Sequence, residues 1–446
     1  MRFEPRLLAL IAAAAAMPLF AASGIPSASG SSPARALQAS LPLTEAIRMA
    51  LERNGQVTGA GLDTIAAHAR VTQANAAFYP SITPDYNYSD VHSDGFGQPA
   101  SFSGQSYRST TSDIVADWVL FDSGRRLTAL RGQESGARAI EHDERQERRS
   151  VVFETTSRYY NALRGAELLR VAQAQVDRAK TVYDSTVARV NAGDLAQKET
   201  LQAKADLMNA QVAVIQARLT EQTGENDLRV TIGWPSDQPL PALVPPAKPE
   251  PPTSLPPSTD YEKRGVERRP DLLAAQDSIR ALGYTLRQAE MDSRITWQLR
   301  GSLSRRLEME NGFQRQLTLA ASIPLFDAGQ SRAVVRETRA SRDAAMARYE
   351  QQERQVRADI KSAYLTYSLR GESLAAAAAA LEAASLNYEA AAESQRVGAG
   401  TLPDVIIAQA ALVTAETNYV QAEYDWYVAQ VQLTYTAGDP LQGETK

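Results

Sequence analysis

Side chains that carry covalent or metal chemistry are scarce in this sequence. There is no cysteine. That excludes a thiol nucleophile, a disulfide framework, a cysteine-ligated zinc site, an iron–sulfur cluster and a lipid anchor on an N-terminal Cys. The three histidines, His68, His92 and His142, lie far apart, so HExxH and similar metal-binding spacings are absent. No Ser/His/Asp set and no phosphate-cradling glycine loop stands out. Asp and Glu are numerous, but they fall on helical stretches also rich in Arg and Lys, the composition of a solvated face. The formal net charge is −5, which gives nucleic acid no basic surface. The expectation is a protein that is not an enzyme and needs no cofactor.

The elements around these residues are organised by an internal repeat. LFDSGRR at 120–126 recurs as LFDAGQS at 325–331, VNAGDL at 190–195 as VGAGTL at 397–402, and LRG at 163–165 as LRG at 369–371. LRVTIG at 228–233 is echoed by LTYTAG at 433–438, and LERNG at 51–55 by VERRP at 266–270. The offsets are 205, 207, 206, 205 and 215. Two copies of one unit are expected, 41–233 and 260–438, followed by a short tail, 439–446. The connector, 234–259, holds ten of the 22 prolines within 235–257. Proline fixes φ and donates no hydrogen bond, so this stretch is extended, either as a linker or lying along the first copy. Ahead of the repeats, residues 1–22 follow the order of a secretory signal: Arg2 and Arg6, an apolar run from Leu7 to Ala16, then small residues. Cleavage can be placed after Ala22, Ala28 or Ala36. No later stretch is apolar enough to span a bilayer as a helix.

Each copy opens with a helical stretch, 42–78 or 260–293, and then alternates. Ile82, Pro84, Tyr86 and Tyr88 oppose Ser81, Thr83, Asp85 and Asn87. Ile114, Ala116, Trp118 and Leu120 oppose Asp113 and Asp117. Ile295, Trp297, Leu299 and Leu303 oppose Thr296, Gln298, Arg300 and Ser302. Leu317, Leu319, Ala321, Ile323 and Leu325 oppose Gln316, Thr318, Ala320 and Ser322. A period of two with one polar face predicts two hairpins, 80–121 and 295–326, wetted on one side. Four strands cannot close a membrane barrel, which starts at eight, but three chains would supply twelve. The other reading is a small soluble sheet packed on helices. Next come two long proline-free helices, 124–191 and 329–397, each about 100 Å at 1.5 Å per residue. Tight turns follow at 192–195 and 398–402, and then return helices, 196–231 and 403–436.

The repeat, the LFDSG and LFDAG strand ends, ERRPDL at 267–272 and GAGTLPDV at 398–405 together resemble the TolC-like outer membrane efflux protein family, in its unlipidated branch. The resemblance spans about 41–438. It implies a mixed α+β membrane protein: a homotrimer with a 12-stranded outer-membrane β-barrel, four strands per chain, continued by a long periplasmic α-helical barrel. It further implies a passive exit duct that works with a periplasmic adaptor and an inner-membrane transporter, either a proton-driven pump or a secretion ATPase, in tripartite efflux or type I secretion. The alternative is a periplasmic coiled-coil scaffold without a channel.

By that resemblance Asp404 matches an acid that lines the closed entrance, and Gln197 takes its place in the first copy. A ring of acids at a narrow constriction favours cations; an acid just inside a helix N-terminus also complements the helix dipole. The family's second acid falls on Ile407 and its gate arginine on Gly400, so the gate network is not carried over. Gly193, Asp194, Leu195, Gly398, Gly400, Thr401 and Leu402 form the tip turns, where an adaptor would dock. Trp118, Leu120, Trp297, Leu299, Leu319 and Ile323, with Phe121, would face lipid or its interface. Asp122 and Asp327 are expected to cap the long helices.

Overall fold

The computed structural model describes residues 40–93, 105–250, 255–306 and 312–443. The signal-like segment, the tips of both hairpin loops, residues 251–254 of the connector and residues 444–446 lie outside the described residues.

The same helix lengths recur in both halves. Helices α1 (Leu43–Arg53), α2 (Gly55–Ala76), α3 (Arg125–Asn191) and α4 (Gln197–Thr231) have 11, 22, 67 and 35 residues. Helices α5 (Ser258–Arg268), α6 (Pro270–Met291), α7 (Gln330–Arg396) and α8 (Leu402–Thr436) repeat those four lengths. Strands β1 (Ser81–Ser93) and β2 (Gln105–Phe121) lie between α2 and α3, and β3 (Thr296–Arg306) and β4 (Phe313–Ser322) between α6 and α7.

The opening stretch of each half, expected as one helix, is two. Asn54 is extended, and its side chain accepts a hydrogen bond from the Gln56 amide, which restarts the chain as α2. In the second half Pro270 is the first residue of α6 and holds Arg269 extended. Arg269 donates to the Asp271 carboxylate and to the Thr436 carbonyl, so the break is tied to the end of α8.

Neither long helix contains proline, and each starts at a left-handed glycine, Gly124 or Gly329, both with φ of 89°. Asp122 accepts from the Gly124 and Arg126 amides, and Asp327 from those of Gly329 and Ser331. Both aspartates therefore cap, as expected. Helices α3 and α4 cross closely through Gly165 and Gly224; a Cβ at Gly165 would lie 2.9 Å from the Glu221 Cα. The main core gathers where α1, α3, α4, α7 and α8 converge, around Tyr159, Tyr160, Leu228, Tyr367, Trp426 and Tyr427. Tyr160 stacks on Tyr427 with ring centroids 5.2 Å apart, and Trp426 meets Tyr427 edge-on at 5.3 Å. The connector lies against this core. The Tyr159 hydroxyl donates to the Leu41 carbonyl at 2.8 Å and accepts from the Val244 amide at 2.8 Å. Tyr427 donates to the Ala247 carbonyl.

The four long strands form one antiparallel sheet in the order β1-β2-β3-β4. Ile82 pairs with Ala116, Pro84 with Ile114, Trp118 with Leu299, Leu299 with Leu319 and Gly301 with Leu317. All four apolar parities thus share one face, and Asp85, Asp113, Asp117, Arg300, Ser302 and Gln316 share the other. No strand residue with a described side chain is buried, so the sheet is not packed on helices. One shift breaks the pattern. A bulge between Val119 and Phe121 sets Phe121, not Leu120, opposite Trp297. Phe121 takes the place on the apolar face that simple alternation gave to Leu120.

Candidate functional site

The candidate site has two parts, the helix tips and the sheet. At each tip the long helix ends on a left-handed glycine, Gly193 with φ of 85° and Gly398 with φ of 82°. The next amide turns back in both: Asp194 N donates to the Arg189 carbonyl and Ala399 N to the Ser394 carbonyl, each at 2.9 Å. Gly400 fits tightly for another reason, because a Cβ there would sit 3.1 Å from the Ser394 Cβ.

The return helices start differently. Thr401 caps α8. Its amide donates to Asp404 Oδ2 at 3.0 Å and its hydroxyl to the same oxygen at 2.5 Å, closing a capping box. These bonds hold the Asp404 carboxyl below its ordinary value. Ala196 stands at the N-cap of α4 and offers no side-chain cap. Leu402 is 4% exposed and Leu195 half-buried, so Leu402 is core to its own tip and not a free docking contact. Gly193, Asp194, Gln197, Gly398, Thr401 and Asp404 are exposed. Beside the second turn Arg396 pairs with Glu393 at 2.5 Å.

The pairing of Asp404 with Gln197 is corrected. Gly124 and Gly329, Gly193 and Gly398, and Gly233 and Gly438 are all 205 residues apart, and so are the starts of the return helices. Asp404 is the third residue of α8, and the third residue of α4 is Glu199. The motif match of VNAGDL to VGAGTL runs two residues out of step because leucine falls at different places in the two turns. Counting from the helix starts would have found Glu199. It is three-quarters covered or more, with 20% side-chain exposure, and lies 3.9 Å from Lys198.

A second feature had no signal in the sequence. Gln175, Ala179 and Val182 of α3, Ala203, Asp206 and Asn209 of α4, and Ile406, Gln409 and Ala410 of α8 line a small, mostly apolar cavity of about 80 Å³. Asp206 Oδ2 has no hydrogen-bond partner there, and burial raises its pKa. The cavity also shows that the two tips stand level, since matching stretches of α4 and α8 line it together.

In the sheet, Trp118 is 40% and Leu319 57% exposed, and the Trp118 indole donates to the Phe78 carbonyl at 3.0 Å. Trp297 is exposed, Leu299 half-buried, and Ile323 exposed just beyond β4. On the polar face Asp85 stands directly opposite Asp113, and Asp117 lies 3.7 Å from Arg300. Among the described residues no helix is long and apolar enough to cross a membrane, and no group of three or more His, Asp or Glu could hold a metal ion.

Paired long helices with level tips, continued by an open sheet with one apolar and one polar face, define the chain fold of outer-membrane channels. The open-state MtrE outer membrane channel of Neisseria gonorrhoeae has this fold, with a TM-score of 0.77, 18% identity, and 91% of this chain and 90% of that one covered. The outer membrane efflux protein BepC of Brucella suis is 24% identical over 402 residues, covering 89% of this chain and 85% of BepC. Outer membrane protein TolC of Escherichia coli is 23% identical over 417 residues, covering 89% and 82%. The model of the outer membrane efflux protein family matches residues 46–234 and 264–439. The chain belongs to that family.

Proposed function

We propose that three copies of this duplicated chain form one passive exit duct from the periplasm through the outer membrane. The observation that carries the reading is the open sheet. Strands β1 and β4 are its edges, and a long unpaired edge is a ready template for pairing with a strand of another chain. Joining β4 of one copy to β1 of the next around a three-fold axis closes twelve strands. The apolar face then meets lipid, and the face with Asp85, Asp113, Asp117 and Arg300 lines water. A scaffold without a channel would leave Leu317, Leu319 and Tyr86, which are 57–72% exposed, in solvent.

Below the barrel the helices continue the wall, and the tips gate it. Asp404, with Glu199 in the matching place, presents acids near the axis. The exposed turns at Gly193–Asp194 and Gly398–Thr401 are where a periplasmic adaptor docks, beneath which an inner-membrane transporter supplies the energy. Of the relatives named above, BepC is an outer membrane efflux protein and TolC an outer membrane protein; they support an outer-membrane exit component.

The test is direct. Cells expressing the chain should yield an outer-membrane trimer that dissociates on heating, and the purified trimer should conduct in planar bilayers. A monomer released in the soluble periplasmic fraction would refute the duct.

A further inference from the structure

The start of helix α7 carries positive charge that nothing in the chain neutralises. Its first turn holds Arg332 and no acid, and Arg336 follows one turn later. Cations at this end of a helix oppose its dipole. Arg294 lies two residues ahead of β3, whose first residue, Thr296, pairs with Ser322 at the end of β4. All three arginines therefore stand at the helix end of the sheet. They are exposed, and none forms an ion pair or a side-chain hydrogen bond among the described residues.

The acids nearby are already engaged. Glu290 pairs with Arg339 at 3.6 Å, Asp292 with Arg125 at 3.3 Å and Asp122 with Arg126 at 2.9 Å. Asp327 caps α7. Glu337, the one acid between Gln330 and Arg342, pairs with none of the three arginines. In the proposed ring β4 joins β1 of the next copy, which sets the start of α7 beside the end of that copy's α2. From Thr64 to Pro84 the sequence has no Asp or Glu, so that stretch of the neighbour brings no counter-charge. The first half of the chain differs. There Arg125 and Arg126 are held by Asp292, Asp122 and the Ala77 carbonyl, and Leu127 stands where the second half has Arg332.

Arg332 and Arg336 line an open groove of about 620 Å³ with Ser331 and Val335 of α7 and with Ala289 and Ser293 at the end of α6. Arg294 follows Ser293 directly. The link from β4 to α7 carries Leu325 and Phe326, 91% and 89% exposed, whereas the matching Leu120 and Phe121 are 42% and 50% exposed. Unpaired guanidiniums beside bare apolar side chains match an amphiphile with an anionic head.

We propose that this groove binds the phosphate of an anionic phospholipid through Arg294, Arg332 and Arg336, with the acyl chains against Leu325 and Phe326. The inference rests on the duct proposed above, which sets the helix end of the sheet at the periplasmic leaflet. Guanidinium forks bind phosphate oxygens in pairs, and basic pockets between helices at a membrane surface take anionic lipid heads.

Native mass spectrometry of the trimer in detergent, titrated with dioleoyl phosphatidylglycerol, should show one tightly held lipid per copy. Dioleoyl phosphatidylcholine should not compete for it, and inorganic phosphate should not displace it. Arg332→Gln with Arg336→Gln should weaken binding by roughly tenfold or more and leave the trimer intact, because neither guanidinium bonds within the chain. Arg348→Gln, about 27 Å along α7 from its start, should bind as the unaltered chain does. Equal retention in the unaltered and doubly changed trimers, or phosphatidylcholine held as tightly as phosphatidylglycerol, overturns the site while the duct stands. Displacement by inorganic phosphate marks a free-anion site and overturns the lipid assignment. An unaltered chain that forms no trimer overturns the duct and the site with it.

Discussion

The Thr401 amide and hydroxyl both donate to a single carboxylate oxygen of Asp404. The residue with the best claim to line the tip constriction is therefore also the residue that starts helix α8. Removing it should do two separable things. Asp404→Ala opens the capping box, so the amides of the first turn of α8 should exchange with solvent faster while the start of α4 is unchanged. In the assembled channel the same change should weaken block of single-channel current by trivalent cations. The pH dependence has a definite sign. A carboxyl whose pKa is depressed by folding stabilises above its unfolded value and loses that contribution as pH falls through the folded one. First-turn protection should therefore decline on acidification in the unaltered chain and be flat in Asp404→Ala. Unchanged exchange and unchanged block would remove both roles.

Two glycines of α3 should respond to alanine with opposite signs. At Gly165 the added Cβ would meet the Glu221 Cα at 2.9 Å. Gly165→Ala should push α3 from α4 and lower stability by roughly 1–3 kcal/mol, the usual cost of overpacking. Gly136 has nothing within 4 Å of a built Cβ. There the gain in helix propensity should dominate, and Gly136→Ala should stabilise by about 0.5–1 kcal/mol. Thermal unfolding of the two variants checks the pair, and a common sign would show that the crossing is looser than its geometry.

His142 predicts a loss of stability in weak acid. Burial lowers its pKa, and Arg145 adds to the effect against the pull of Asp277. Its Nε2 is 3.5 Å from Asp277, which also binds Arg280 and Arg138. A histidine held neutral by folding binds protons more readily when unfolded, so stability falls as pH drops through the unfolded value near ~6.5 toward the folded one. Chemical denaturation between pH 8 and pH 5 should show this decline, and His142→Gln should flatten it. A profile unaltered by the substitution would assign the decline to other groups.

How much could be read from residues alone depended on whether the signal was local. Alternation of Trp297, Leu299 and Leu303 against Thr296, Gln298 and Arg300 is local, and the register sets those faces as expected. The absence of proline from α3 and α7 gave their length. Three things were not local. The bulge at Leu120 arises from pairing with β3, which no pattern within β2 records. The equivalence of Asp404 with Glu199 was hidden by a leucine that sits before α4 in one turn and begins α8 in the other. The cavity at Asp206 needs three helices at once, and its lining residues are spread from Gln175 to Gln409.

The proposal that the sheet's apolar face meets lipid predicts which tryptophans a bilayer can reach. Four are present, Trp118, Trp234, Trp297 and Trp426. Trp426 is 4% exposed in the core, and Trp234 packs against that core from the connector. Trp118 and Trp297 stand on the apolar face at the helix end of the sheet, where the Trp118 indole reaches the Phe78 carbonyl. An amphipathic ring with its polar edge satisfied by the last turn of chain suits the membrane interface. In vesicles of lipids brominated on their acyl chains, roughly half of the tryptophan emission should be quenched. Trp118→Phe with Trp297→Phe should abolish that fraction while leaving the trimer intact, because neither indole is buried in the chain. Quenching that survives the double change would place the lipid contact elsewhere on the molecule, and the apolar face of the sheet would then need another cover.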